Sequence, residues 1–126
     1  MVVLDTSALL YWTLDPDQLS LAARRTIEQA DRLVISSISV WEIALKVKRG
    51  KLDIPLSIID YAERLQRLES LEILSVDVQT WLENLDLDWE HRDPADRTIV
   101  AIATRLACPL VTSDCVVADF YRETTW

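Results

Sequence analysis

The sequence predicts an α/β domain built on a parallel sheet with helices on both faces, and three observations predict it. Short, mostly β-branched apolar runs, "VVL", "RLVISS", "LEILSVD" and "LVTSD", recur along the 126 residues. Between them stand longer segments with apolar residues at helical spacing, the alternation expected where strands are joined by helical crossovers. Half of the residues are hydrophobic and 27% are charged, a composition that suits a packed globule and not a disordered chain.

Each element has a local reason. The first strand is "VVL" at 2–4; it stops at Asp5, and "TSALLYW" follows as a helix with Thr6 or Ser7 as its cap. Asp15-Pro16 makes a turn, and Ser20 caps a second helix. "RLVISS" is the second strand. In "SVWEIALKVKRGKLDIP", Ser39 and Glu42 have the spacing of a capping box, and Gly50 ends the helix. Ile58, Ile59, Ala62, Leu65 and Leu68 fall at helical spacing before "LEILSVD", the third strand, and "VQTWLENLDL" is a further helix. Asp93 caps a helix that starts at Pro94 and carries Ile99, Ile102, Ala103 and Leu106 on one stripe, broken at Cys108-Pro109. "LVTSD" is the fourth strand, and a helix around Val117 to Tyr121 with a short strand at 123–126 completes one domain over residues 1–126.

Composition excludes several function classes. With a single glycine, the chain has no room for a P-loop or a dinucleotide fingerprint. Cys108 and Cys115 form no CxxC or Cys/His cluster, so reduced thiols are expected, and the lone His91 is given no catalytic role. No apolar run approaches the ~20 residues of a membrane span, and "MVVLDTSALL" lacks the features of a signal peptide, so a cytoplasmic location is expected. The net charge of -8, from 21 acids and 13 bases, opposes non-specific attraction to nucleic acid over the whole surface. The one basic cluster, Lys46, Lys48, Arg49 and Lys51, is best placed as cations at a helix C-terminus.

In an open parallel sheet, ligands sit outside the carboxyl ends of the strands. Asp5 follows the first strand, Glu42 falls in the first turn of the helix after the second, and Asp114 follows the fourth. Asp96 joins them if its helix starts at the same edge. Singly, each has a structural reading: a turn acid, the capping-box partner of Ser39, a dipole acid, a helix cap. As a set, four carboxylates in one crevice would repel one another unless a cation neutralised them. Oxygen ligands with no histidine or thiolate suit Mg²⁺ or Mn²⁺, and phosphodiester hydrolysis is the reaction such an ion serves. The hydroxyls of Thr6, Thr112 and Ser113 stand beside these acids, where they either orient carboxylates or cap turns.

Taken together, "LDTSALLYW" with Asp5, "SISVWEIALKVKRGKL" with Glu42, "HRDPADRTIVAIA" with Asp96 and "LVTSD" with Asp114 resemble the PIN-domain ribonucleases, specifically the VapC toxins of bacterial toxin-antitoxin pairs. The resemblance spans nearly the whole chain. The family commonly has DTHALLWW and HRDPFDR where this chain has Ser7 and Ala95; neither change removes a carboxylate. The resemblance implies a three-layer α/β/α sandwich with a mostly parallel central sheet of four or five strands. It also implies Mg²⁺- or Mn²⁺-dependent cleavage of RNA, a homodimer, and inhibition by a small antitoxin with a basic C-terminal segment. In that picture Asp5, Glu42, Asp96 and Asp114 share the metal, and Asp93 is a cap and outer-shell residue. Arg92 and Arg97 flank the site as candidate contacts to RNA phosphates. The alternative is a catalytically silent module of the same fold that binds RNA or protein. A receiver domain is disfavoured because Asp5 is followed by Thr6 and Ser113-Asp114 offers no lysine. A haloacid-dehalogenase-type phosphatase is disfavoured because Ser7 stands where its second acid belongs.

Overall fold

The computed structural model describes all of residues 1–126. Five strands, β1 (Val2–Leu4), β2 (Leu33–Ser36), β3 (Leu71–Leu74), β4 (Leu110–Val111) and β5 (Thr124–Thr125), form one sheet in the order β3-β2-β1-β4-β5. Every neighbouring pair is parallel, so the sheet expected to be mostly parallel is wholly so. Seven helices connect the strands: α1 (Thr6–Leu14), α2 (Leu21–Gln29), α3 (Ser37–Lys48), α4 (Ile58–Arg67), α5 (Val78–Asp86), α6 (Pro94–Leu106) and α7 (Cys115–Phe120).

The alternation of side chains along the central strands divides the core in two. Val2 and Leu4 of β1, with Leu33 and Ile35 of β2, join Leu9, Ala23, Ile27, Tyr61 and Leu65 on the side of α1, α2 and α4. Val3 and Val34 point the other way, into Ile99, Val100, Ile102 and Ala103 of α6. Because both faces are covered, β1 and β2 are buried throughout and apolar up to Ser36, without the polar alternation of a half-exposed strand.

The chain winds outward from β1 to β3 and then returns to β4 on the other side, so the switch in strand order falls between β1 and β4. In an open parallel sheet the ligand position is the carboxyl edge at this switch point. Asp5 leaves β1 there, with its backbone N–H donating to the Val111 carbonyl at 3.1 Å. Since α6 runs back toward the start of β4, its N-terminus lies at this same edge, which is the condition that Asp96 needed.

Several local expectations are corrected. The cap of α1 is Asp5, whose Oδ1 accepts from the Ala8 N–H at 2.7 Å, and not Thr6 or Ser7, which lie inside the first turn. The cap of α3 is Ser36, whose hydroxyl accepts from the Ile38 N–H at 3.2 Å. Ser39 is therefore the third helical residue, fully buried, and the Ser39–Glu42 capping box does not form; Glu42 lies in the second turn instead of the first. Strand β4 ends at Val111, so Thr112 to Asp114 form the turn into α7, which starts at Cys115 and ends at Phe120.

The helix ends follow local chemistry. Gly50, at φ 68°, closes α3, with Gly50 N–H donating to Val47 O and Lys51 N–H to Lys46 O. An equivalent closure ends α6, where the left-handed residue is Ala107 at φ 48°. An alanine there lacks the freedom that favours glycine. No helix is long and apolar enough to cross a membrane.

Candidate metal centre

Three of the acids at the carboxyl edge are helix caps, and each cap fixes a carboxylate by one of its oxygens. Besides Asp5 on α1, Asp114 caps α7, its Oδ1 accepting from the Val116 N–H at 2.8 Å. Asp93 caps α6, accepting from the Asp96 N–H at 3.0 Å, with Pro94 in the first helical position. Asp96 is the third residue of α6, where the positive end of the helix dipole favours a negative charge.

The structure brings Asp5, Asp96 and Asp114 into electrostatic contact. Asp5 is only 8% exposed, and its pKa rises from 3.8 to about 6. Burial is the main cause; hydrogen bonds from Thr112 and Ala8 oppose it, and the charges of Asp96 and Asp114 add to it. Burial also raises Asp96, opposed by a hydrogen bond from His91, with the charges of Asp93 and Asp114 pushing it further up. Glu42 is half-buried on α3 and is not among the charges acting on Asp5 or Asp96. It lies in the second turn of α3, and no hydrogen bond or ion pair ties it to the other three acids. No three of the chain's His, Cys, Asp and Glu side chains converge closely enough to ligate one ion directly.

The hydroxyl residues divide. Thr112, 2% exposed, bridges two of the acids: its side chain hydrogen-bonds to Asp5, and its Oγ1 accepts from the Asp114 N–H at 3.1 Å. Thr6 is buried and donates to Ser39 Oγ at 3.0 Å, tying α1 to α3, and makes no hydrogen bond to a carboxylate. Ser113 is exposed and makes no side-chain hydrogen bond to an acid.

Arg97 is a correction. Its guanidinium donates to Asn84 Oδ1, to the carbonyls of Asn84 and Leu87, and to those of Trp89 and His91. An arginine has five N–H donors, and all five are engaged in holding the loop between α5 and α6, leaving none for a phosphate. Arg92 is exposed and enters no ion pair, so it remains available for such a contact. Asn84, which no motif singled out, lies buried between the two helices and donates to Thr98 Oγ1 at 2.9 Å.

His91, given no catalytic role from the sequence, lies against the site: its Nε2 is 2.8 Å from Asp96 Oδ2. Sequence reading missed it because one histidine carries no spacing pattern, although it stands five residues before Asp96 in the same stretch. An apolar groove of about 520 Å³ lies elsewhere, between the C-terminal end of α1 and α4, and contains no carboxylate.

A wholly parallel sheet whose switch point carries carboxylates at helix N-termini defines an α/β domain with an acidic site at its carboxyl edge. A family model described as "PIN domain" matches residues 2–122, and the chain belongs to that family. Ribonuclease VapC22 of Mycobacterium tuberculosis is 29% identical over 113 residues, covering 90% of this chain and 86% of that protein. Among solved structures, M. tuberculosis VapC20, a sarcin-ricin loop cleaving toxin, superposes with a TM-score of 0.68 at 14% identity, covering 94% of each chain. A toxin-antitoxin complex from Klebsiella pneumoniae gives 0.67 at 16% identity, covering 98% of this chain and 95% of that one. FitAcB of Neisseria gonorrhoeae gives 0.65 at 21% identity, covering 93% and 90%. At these identities the superpositions speak to the fold, which they share over nearly the full length.

Proposed function

We propose that residues 1–126 act as one PIN domain with endoribonuclease activity, the toxin of a toxin-antitoxin pair, cleaving RNA at a divalent-cation site formed by Asp5, Asp96 and Asp114, with Glu42 at its margin. The observation that carries this reading is the placement of Asp5, Asp96 and Asp114 at the starts of α1, α6 and α7, around the β1/β4 switch point of a PIN-family chain. The likeness to Ribonuclease VapC22 supports the substrate class.

The donor set fits Mg²⁺ or Mn²⁺. Such an ion is commonly held by one or two carboxylates and several waters, so three acids that do not close into a direct cage still suit it. When bound, the ion would polarise a phosphodiester and lower the pKa of a bound water. The chain's part is positional. Asp114 offers Oδ2 and Asp96 offers Oδ1, since their other oxygens are engaged by the Val116 N–H and His91. Thr112 keeps Asp5 and the Asp114 backbone in fixed relation. Arg92, exposed beside the cap of α6, is the candidate contact to an RNA phosphate.

The net charge of -8 suits a small antitoxin with a basic segment, since complementary charge steers and selects a partner. A homodimer accords with the exposed apolar row Val78, Trp81, Leu82 and Leu85 of α5 beside Trp41 of α3. Action on RNA supports a cytoplasmic location.

The test is cleavage of total RNA by purified, antitoxin-free protein with Mg²⁺ or Mn²⁺, against EDTA and Asp5→Asn controls, with growth arrest on expression. Metal-dependent fragments from the native chain alone are expected. No cleavage of any RNA and no arrest would instead favour a silent binding module of the same fold.

A further inference from the structure

We propose that His91 is a positioning residue for Asp96, and that the short aromatic stack behind it sets the relation between α6 and α7 on which the cation site depends. This rests on the metal-site reading above. An ionised carboxylate can only accept, so His91 Nε2 carries the hydrogen and donates it to Asp96 Oδ2 at 2.8 Å. Both side chains are 25% exposed, so the bond is shielded without being sealed.

One contact holds the His91 backbone, one its ring, and a third backs the ring it lies against. Arg97 Nη1 donates to the His91 carbonyl at 3.0 Å, anchoring a loop that has no regular structure of its own. The ring lies against Trp89, with centroids 4.7 Å apart and planes at 36°. Trp89 in turn stacks face to face on Phe120, with centroids 4.7 Å apart and planes at 7°. Phe120 ends α7, the helix that Asp114 begins. One continuous line of contacts thus runs from the Asp96 carboxylate through His91, Trp89 and Phe120 to the helix that carries Asp114. Because Oδ2 is engaged, rotation of the Asp96 carboxylate is restricted and Oδ1 is presented. An outer partner of this kind typically governs metal affinity by 10- to 100-fold.

The experiment uses the full chain with Mn²⁺ alone as the probe, followed by calorimetric titration, and with folding checked by circular dichroism and metal-free melting. His91→Leu keeps bulk but removes the donor; His91→Gln restores a donor at comparable reach. The expected result is a loss of Mn²⁺ affinity of about 10- to 100-fold in His91→Leu, recovered in large part by His91→Gln, with metal-free melting alike in the two variants. Rescue by the amide is what a merely structural histidine would not give. Wild-type affinity in folded His91→Leu, or equal loss in both variants, overturns the positioning role while the metal site stands. Failure of the native chain to bind Mn²⁺, or unchanged binding in Asp96→Asn, overturns the metal-site reading and this proposal with it.

Discussion

Asp5→Asn should raise the stability of the metal-free protein above pH 7 while abolishing the proposed cleavage of RNA. Burial shifts the Asp5 pKa from 3.8 to about 6, so the folded chain holds this proton more tightly than the unfolded chain does. For an acid shifted upward, stability falls as pH rises between the two values, because the folded state there binds more protons. Two pKa units and a little more correspond to about 3 kcal/mol of lost stability once both states are ionised. Asparagine has nearly the same shape, keeps an oxygen for the Ala8 N–H, and is as good a helix cap as aspartate, so the cap bond survives. Allowing for imperfect replacement of the Thr112 hydrogen bond, the variant should gain about 1–3 kcal/mol, a rise in melting temperature of roughly 3–10 °C. The assay is thermal unfolding of both proteins in EDTA across pH 4 to 8. The difference should be small near pH 4, grow through pH 6, and level off above it. A variant no more stable than the parent above pH 7, or a difference independent of pH, would refute the upward shift of Asp5.

Three further outcomes follow from the contacts around the site. Asp93→Ala removes only a cap and should cost about 1 kcal/mol in chemical denaturation, with Mn²⁺ affinity retained, whereas Asp96→Asn should lose Mn²⁺ binding with little change in stability. Arg97→Lys breaks a five-donor clamp that a single ammonium cannot reproduce, and should destabilise by about 2–4 kcal/mol. An unaltered denaturation midpoint with weakened RNA binding would return Arg97 to the RNA-contact role. Ala107→Gly relieves a left-handed alanine at φ 48° and should stabilise by roughly 0.5–1 kcal/mol, read as a shift in denaturation midpoint.

What the sequence made legible was whatever depends on neighbours in the chain. The order of strands and helices follows from runs such as "VVL" and the stripe Ile99, Ile102 and Ala103, which periodicity alone reveals. The start of α3 was misplaced because "SSISVWE" offers serines at 36, 37 and 39, and spacing favours Ser39. Tertiary pairing decides otherwise: β2 keeps its register with β3 through Ser36 and the helix begins at Ser37, three residues before a Ser39 cap would start it, with Ser39 buried and accepting from Thr6. Arg97 was misread for a related reason. Its partners lie 6 to 13 residues back, across a loop whose path no local pattern encodes. Glu42 was assigned by its presumed place in a first turn, and moving the cap moves the glutamate one turn inward.

The capping role of these acids bears on whether they are functional at all. A cap asks only for a short side chain with an acceptor oxygen, and serine, threonine or asparagine at position 5 would supply one without burying a charge. Ser20, Ser36 and Ser57 do this for α2, α3 and α4 in the same chain. Asp93 is accounted for by its bond to the Asp96 N–H. Capping does not account for Asp5: a carboxylate 8% exposed, with Asp96 and Asp114 repelling it, costs about 3 kcal/mol that the cap does not require. Perturbed acids of this kind concentrate where a protein handles charge. The cation that would offset this repulsion is the one the proposed RNA cleavage would use, so the cost of gathering these acids and the metal affinity proposed for them are two readings of one electrostatic arrangement.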